Sequence, residues 1–388
     1  MPMDVFAMER MQSTWENVVE CDMSESGIHA VTLGELVTLG LDLPAMLETP
    51  LGYSQSNGTP PLRERIAALY PGATPAHVEV TNGTSEANYI VALSQLSAGD
   101  RFAMEMPNYM QLWGVPRSLG AVMAPFHMHC GADGGWTIDW EDFERAVTPG
   151  TKLVYITNPN NPTGAVLSSA DMHRLVARCE DVGAYLVADE VYQGSEYEAP
   201  LTRSFWGLSD RVIVTSGLSK AYGIPGVRIG WIVGPPEIVA QCWAQHDYIT
   251  ISPSRLSDAI AHVAVGPAVR RRLYDRTRVI LQENRPVVEA WVHGLNGLLA
   301  WTPPPATAMG FMHCGGALAG IPSEMIATHL RESRSVLIVP GSQLGAEGYL
   351  RIWIGATRER LEDGLARIAR GLEEMTAAAG VGEEQGAP

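Results

Sequence analysis

Lysine is the residue this chain comes nearest to lacking. Of 27 basic side chains only Lys152 and Lys220 are lysines, and the rest are arginines. Cysteine is thin as well. Cys21, Cys130, Cys179, Cys242 and Cys314 are scattered and never form a CxxC pair, which argues against a disulfide framework or a zinc site and for a reducing cytoplasm. No run approaches the roughly 18 apolar residues needed to span a bilayer. The opening Met-Pro-Met-Asp lacks the apolar core of a secretory leader. Positive charge is also short. A net charge of −16 removes nucleic acid and anionic membranes as main partners, because both require basic surface. Any anionic ligand must be held locally, by arginines and helix starts.

What is present is an alternating pattern. Apolar runs of strand length occupy 77–81, 101–105, 121–126, 152–157, 185–189, 212–216 and 229–233, with helical stretches between several of them, clearest at 84–97 and 168–182. Thr59 reads as the N-cap of a helix carrying Leu62, Ile66 and Leu69 on one face. Ser168 with Asp171 resembles a capping box, and Gly183 a helix stop. The runs at 185–188 and 212–215 are apolar on both faces, which suits a mostly parallel, seven-stranded sheet covered by helices on each side. A large α/β domain over 45–275 is expected, with 1–44 and 276–375 forming a smaller α+β unit. The segment 1–44 shows only short, irregular apolar pieces. The small, acidic segment 376–388 reads as disordered.

In open α/β sheets ligands collect at the carboxyl ends of the strands, and the candidate chemistry follows the apolar runs. Lys220 lies in Ser216-Gly217-Leu218-Ser219-Lys220-Ala221-Tyr222-Gly223, with Arg228 eight positions on. Small neighbours admit a bulky cofactor, and a buried lysine sheds its proton to become a nucleophile that forms an imine with an aldehyde. Gly83, Thr84 and Ser85 open a helix after a strand and suit a phosphate cradle. Tyr109 can stack on a flat ring. Asn158-Pro159-Asn160-Asn161-Pro162-Thr163-Gly164 is a rigid loop that aims an asparagine amide inward. Asp189 and Tyr192 end a buried strand, where a carboxylate needs a cationic partner such as a protonated pyridine nitrogen.

A flat aromatic aldehyde with a phosphate arm satisfies all of these, and that description fits pyridoxal 5′-phosphate. On these motifs the chain resembles fold type I pyridoxal-phosphate enzymes, specifically the class I/II aminotransferases related to aspartate aminotransferase, from about Tyr53 to Arg351. The resemblance implies that Lys220 holds the cofactor as an imine and shuttles the Cα proton. Asp189 would pair with the pyridine nitrogen, Asn161 and Tyr192 would bond the phenolic oxygen, and Tyr109 would stack. Gly83, Thr84, Ser85, Ser219 and Arg228 would hold the phosphate. Tyr53 would reach the phosphate of a neighbouring subunit, which implies a homodimer with composite sites. Arg351, with help from Gly27 and Asn161, would bind the substrate α-carboxylate, and the Asn161–Pro162 bond is a candidate cis peptide. No metal is implied, and His127-x-His129 lacks a third ligand.

Two departures stand out. Gly217 occupies the place where the family often has a phosphate-binding serine, leaving Ser216 or Ser219 as the substitute, and Met23-Ser24-Glu25-Ser26-Gly27 replaces the usual Gly-x-Pro pattern. In both respects the chain is similar to the capreomycidine synthase branch, whose members use the cofactor on arginine-like amino acids for β,γ-chemistry and cyclisation. The expected reaction is amino transfer from an L-amino acid to a keto acid acceptor. The alternative is a lyase or cyclase using the same residues for elimination, replacement or ring closure.

Overall fold

The computed structural model describes residues 3–384. Its centre is a mixed sheet of eight strands: β1 (Val78–Thr81), β2 (Arg101–Met106), β3 (Val122–Cys130), β4 (Trp136–Ile138), β5 (Thr151–Thr157), β6 (Tyr185–Asp189), β7 (Val212–Gly217) and β8 (Gly230–Val233). They lie in the order β1-β8-β7-β6-β5-β2-β3-β4. All seven expected strands form. The eighth, β4, is a three-residue hairpin partner of β3 at the sheet edge. Strands β7, β6, β5, β2 and β3 run parallel, while β8 is antiparallel to both of its neighbours.

Side-chain alternation explains why the central strands are apolar throughout. Leu186 and Ala188 of β6 join one core with Val212 and Val214 of β7. Val187 and Ile213, one residue out of phase, join the other core with Phe102, Tyr155 and Ile90. Both faces are therefore buried, and successive strands are linked by helices such as α1 (Thr84–Gln95) and α2 (Ser169–Val182). The latter is capped as expected. Ser168 Oγ accepts from the Asp171 N–H at 3.1 Å, and Gly183 adopts φ +76°. The Asp171 carboxylate accepts the Ser168 hydroxyl rather than completing the reciprocal box.

Helix α3 (Pro267–Gly294) leaves this core. Leu273 and Tyr274 pack with the large sheet, while Leu281 and Val288 pack in a second core. There a four-stranded antiparallel sheet is built on Met309–Cys314 and Tyr349–Trp353 and covered by Ser323–Arg334 and Arg358–Glu384. Leu36 and Leu41, from the segment assigned by sequence to the smaller unit, pack with the large core instead. The last helix runs to Glu384, into the segment 376–388 expected to be disordered. The alanines there favour helix more than their small size suggested, and residues 385–388 lie outside the described part.

The N-terminal segment is more ordered than its composition indicates. Ala7–Trp15 forms a helix whose Met8 and Met11 pack against Phe311, Leu337 and Val339. The strand Cys21–Asp22 then pairs with Val336–Leu337, and the Trp353 N–H donates to the Met23 carbonyl at 2.8 Å. That anchoring lays Ser24–Gly27 across the carboxyl edge of the large sheet.

Candidate functional site

One edge of the sheet gathers the chemistry. The carboxyl ends of β1, β2, β5, β6 and β7, and the start of the reversed strand β8, all open there. They carry respectively Gly83-Thr84, Tyr109, Asn161, Asp189, Lys220 and Arg228. A cavity of about 330 Å³ lies over that edge, and its wall includes Thr84, Ser85, Tyr109, Asn161, Asp189, Tyr192, Ser219, Lys220, Arg228 and Arg351. Ten sequence-expected site residues thus share one cavity.

The end of the cavity suited to an anion is the start of α1. Gly83 has φ +93°, and a Cβ there would overlap Arg228 Nη2, so only glycine lets the guanidinium lie over the turn. Arg228 sits in the left-handed region at φ 53° and is held by its own bond to the Pro225 carbonyl at 3.2 Å. Thr84 Oγ1 is buried with no hydrogen-bond partner. A Cβ on Gly217 would overlap that same Oγ1, which accounts for the missing serine at this position. Of the two serines left open by the sequence, Ser216 bonds the Glu190 carbonyl at 3.3 Å, whereas Ser219 lines the cavity.

At the opposite side lies Asp189, buried and multiply bonded. Its Oδ2 accepts from Asn88 Nδ2 at 2.8 Å and the Tyr155 hydroxyl at 3.2 Å, and its Oδ1 accepts the Val191 N–H at 3.0 Å. Burial raises its carboxyl above the usual range, and these three donors pull it back. Such a group is suited to a cationic partner arriving in the cavity. Asn88 is itself aimed by Thr215, whose hydroxyl donates to Asn88 Oδ1 at 2.7 Å.

Asn161, Tyr192 and Arg351 form a chain. Asn161 Nδ2 donates to the Tyr192 hydroxyl at 3.0 Å, and Asn161 Oδ1 accepts from Arg351 Nη1 at 3.0 Å. Arg351 Nη2 donates to the Ser24 carbonyl at 2.7 Å, while its Nε is buried without a partner. A guanidinium only 1% exposed with an unused donor suits a carboxylate ligand. The Asn161–Pro162 bond is cis, as expected. Beneath this loop Glu105 accepts from Asn160 Nδ2 at 2.8 Å and the Thr157 N–H at 3.1 Å.

Lys220 departs from its sequence-based reading. Burial by itself would lower its pKa, but the Glu25 carboxylate at 2.9 Å, aided by Tyr192, outweighs that and raises it. Reciprocally, Lys220 holds Glu25 down to about 2 against the effect of burial. Gly27 lies behind Lys220 rather than in the cavity wall. A Cβ there would sit 3.2 Å from the Ser219 carbonyl oxygen and 3.3 Å from Lys220 Cδ. Its own carbonyl accepts from Trp353 Nε1.

Several participants carried no motif. Glu25, Asn88 and Tyr155 are brought in only by the fold. The N-terminal helix adds Glu9, which accepts the Tyr109 hydroxyl at 2.8 Å, and Gln12, Ser13 and Glu16 to the wall. Tyr53 stands apart. It is 85% exposed and lines a separate surface cavity with Asn82, Thr250 and Arg255. The two edge histidines pair with aspartates, His127 with Asp142 at 2.6 Å and His129 with Asp139 at 2.8 Å.

The match to known proteins covers nearly the whole chain. The family model for aminotransferase class I and II matches residues 45–368. Capreomycidine synthase of Streptomyces vinaceus is 31% identical over 364 residues, covering 90% of this chain and 89% of its own. Among solved structures, a PLP-dependent aminotransferase from Streptococcus suis superposes with a TM-score of 0.89 at 30% identity, covering 96% of this chain and 99% of that one. The PLP-dependent cyclase OrfR gives 0.86 at 26%, covering 97% and 98%.

Proposed function

We propose, for a chain that belongs to the aminotransferase class I and II family, that Lys220 is the residue to which its pyridoxal 5′-phosphate is tethered. The enzyme is a pyridoxal-phosphate-dependent aminotransferase acting on an amino acid, with a keto acid as acceptor. The residues present fit the cofactor. Thr84 Oγ1 is an orphaned donor at a helix start, and the Gly83 turn leaves its space to Arg228, so this end suits a phosphate. Asp189 suits a protonated ring nitrogen, and Tyr192 with Asn161 suits a phenolic oxygen. When bound, the cofactor supplies a reactive aldehyde and an electron sink.

The chain's own residues then do the rest. Arg351 orients the substrate through its α-carboxylate, with Asn161 fixing the plane of the guanidinium. Lys220 Nζ removes the Cα proton and would return a proton two atoms along, at the carbon beyond the substrate nitrogen. Tyr109, tied to Glu9, walls one side of the cavity, and the helix Ala7–Trp15 narrows access for water. Tyr53 points away from its own site and is assigned to the site of a second copy, making the enzyme a homodimer. A cytoplasmic location fits five cysteines that all stay free.

The single observation that carries this reading is the convergence of Lys220, Asp189, Asn161, Arg228 and Arg351 on one cavity. Borohydride reduction followed by peptide mapping tests it, and the expected tag is on Lys220. A tag on Lys152, or none on active protein, overturns it.

A second reading keeps every one of these residues but diverts the substrate carbanion into elimination or ring closure. The carboxylates of Glu9 and Glu16 on the cavity wall support it, because they suit a substrate with a basic side chain. It is also the chemistry named for the cyclase OrfR. Incubation with single amino acids separates the two. Amination of the cofactor that a keto acid reverses marks transfer, and ammonia or a cyclic product without an acceptor marks the alternative.

A further inference from the structure

The segment Ser24–Gly27 touches three site residues at once. The Ser24 carbonyl accepts from Arg351 Nη2 at 2.7 Å, Ser26 Oγ accepts from the Tyr192 hydroxyl at 3.1 Å, and Glu25 Oε1 accepts from Lys220 Nζ at 2.9 Å. That same Oε1 also receives the backbone N–H groups of Ser26 and Gly27, at 2.9 and 3.0 Å. Glu25 is therefore fixed in place by its own backbone before the lysine reaches it. Helix Ala7–Trp15 holds the segment from outside, since Gln12 Nε2 donates to the Ser24 carbonyl at 2.9 Å. We propose that Glu25 is the positioning residue of Lys220, docking the freed amine on the cavity wall and strengthening it as the base that takes the Cα proton.

The inference rests on the assignment of Lys220 made above. Four groups face Nζ: Glu25 from the N-terminal segment, Asp189 and Tyr192 from the end of β6, and Arg351 from the smaller unit. Asp189 is already bonded by Asn88 and Tyr155, and Arg351 is itself a cation, so Glu25 is the lysine's principal counter-ion. In the proton-transfer step the Cα–H bond breaks, its electron pair stays on carbon, and the proton goes to Nζ. The resulting ammonium stands 2.9 Å from a carboxylate, so the transfer is favoured by charge neutralisation. Removing Glu25 leaves burial and Arg351 disfavouring the ammonium form, with Tyr192 still favouring it.

The two-lysine composition allows a direct test on the full chain freed of cofactor. Lys152 is exposed and serves as internal reference. Competitive acetylation across a pH series, read by peptide mass spectrometry, gives a titration midpoint for each lysine. The wild-type Lys220 midpoint should lie above the usual lysine value. In Glu25→Gln it should fall by about one pH unit or more, the range expected for losing an adjacent opposite charge. Glu25→Asp should fall in between. In the holoenzyme, the pH midpoint of the cofactor's visible absorbance should move the same way. An unshifted Lys220 midpoint in Glu25→Gln, with an unchanged melting temperature as proof of an intact fold, overturns the role of Glu25. A borohydride tag away from Lys220 overturns the site assignment instead, and the two failures are separable.

Discussion

At the scale of single residues, buried carboxylates decide most of what can be measured. Asp189→Asn keeps the shape of the group and its bond to Val191 but loses the charge and turns an amide toward the Asn88 donor. We expect a small loss of melting temperature and a fall in kcat of about 10²–10³-fold, the size found for removal of one electrostatic contact to developing charge. A drop of under ten-fold would mean that Asp189 meets no cation in the working enzyme. Glu190, the next residue, faces away from the cavity and accepts from the Phe205 N–H at 2.7 Å and the Ser204 hydroxyl at 3.0 Å. Burial pushes it up from 4.5 to about 8. Since the folded state then prefers the protonated form, its stabilising contribution is complete below about pH 4.5 and is lost as pH rises through about 8. Thermal melts at pH 5.5 and 9 should show a smaller alkaline loss in Glu190→Gln than in the wild type. Residues that sit inside short motifs, such as Asn161 in its Asn-Pro loop and Lys220 among small neighbours, were legible from the sequence. Glu25 and Asn88 were not, because their partners lie 195 and 101 positions away and only folding brings them together.

At the scale of elements, the Gly83 turn proposed to hold phosphate rests on a buried histidine, His246. His246 Nδ1 lies 2.9 Å from Glu79 of β1, and Nε2 lies 3.4 Å from Glu86 of α1 and 3.0 Å from Thr250 Oγ1. Burial opposes its charge, yet the two glutamates outweigh this and raise it to about 9. Glu86 in turn accepts the Asn82 N–H, one residue before Gly83. His246 thus joins a strand, a helix and the loop 247–254 beside the cradle. Its contribution is full below pH 6.5 and disappears as pH rises through about 9. His246→Ala strands two glutamates in the interior and should cost about 3–5 kcal/mol in denaturant unfolding. It should also weaken cofactor retention on dialysis, whereas His246→Gln should retain part of both. Sequence alone placed the seven longer strands because each carries an apolar run of strand length, although the run at β3 is partly exposed where β6 and β7 are buried on both faces. It missed β4, whose three residues are too few for any period, and the helix Ala7–Trp15. Met8 and Met11 are its only buried side chains, and the small-domain surface they cover is more than 300 residues away in sequence.

At the scale of the whole molecule, one surface is left uncovered in a single chain. Leu47, Leu51, Tyr53 and Tyr248 are 76%, 82%, 85% and 89% exposed, and Ile251 beside them is half exposed. Ile251 also holds φ +71°, which a β-branched side chain rarely adopts, so the surrounding loop must enforce that shape. Leu51 and Tyr53 line a surface cavity that shares Asn82 and Thr250 with the network behind the Gly83 turn, and exposed apolar groups of this size mark an interface. If a second copy covers it, burial there and cofactor binding should be coupled. Tyr248→Arg places a charge in that surface without touching the cavity that contains Lys220. We expect light scattering to shift from dimer toward monomer with increasing dilution, and cofactor dissociation to accelerate in step with the monomer fraction. Tyr53→Phe should leave the dimer intact and weaken cofactor retention through the lost hydroxyl alone. A Tyr248→Arg monomer that keeps its cofactor as tightly as the wild type would show that each chain closes its own site, and Tyr53 would then have no part in holding phosphate.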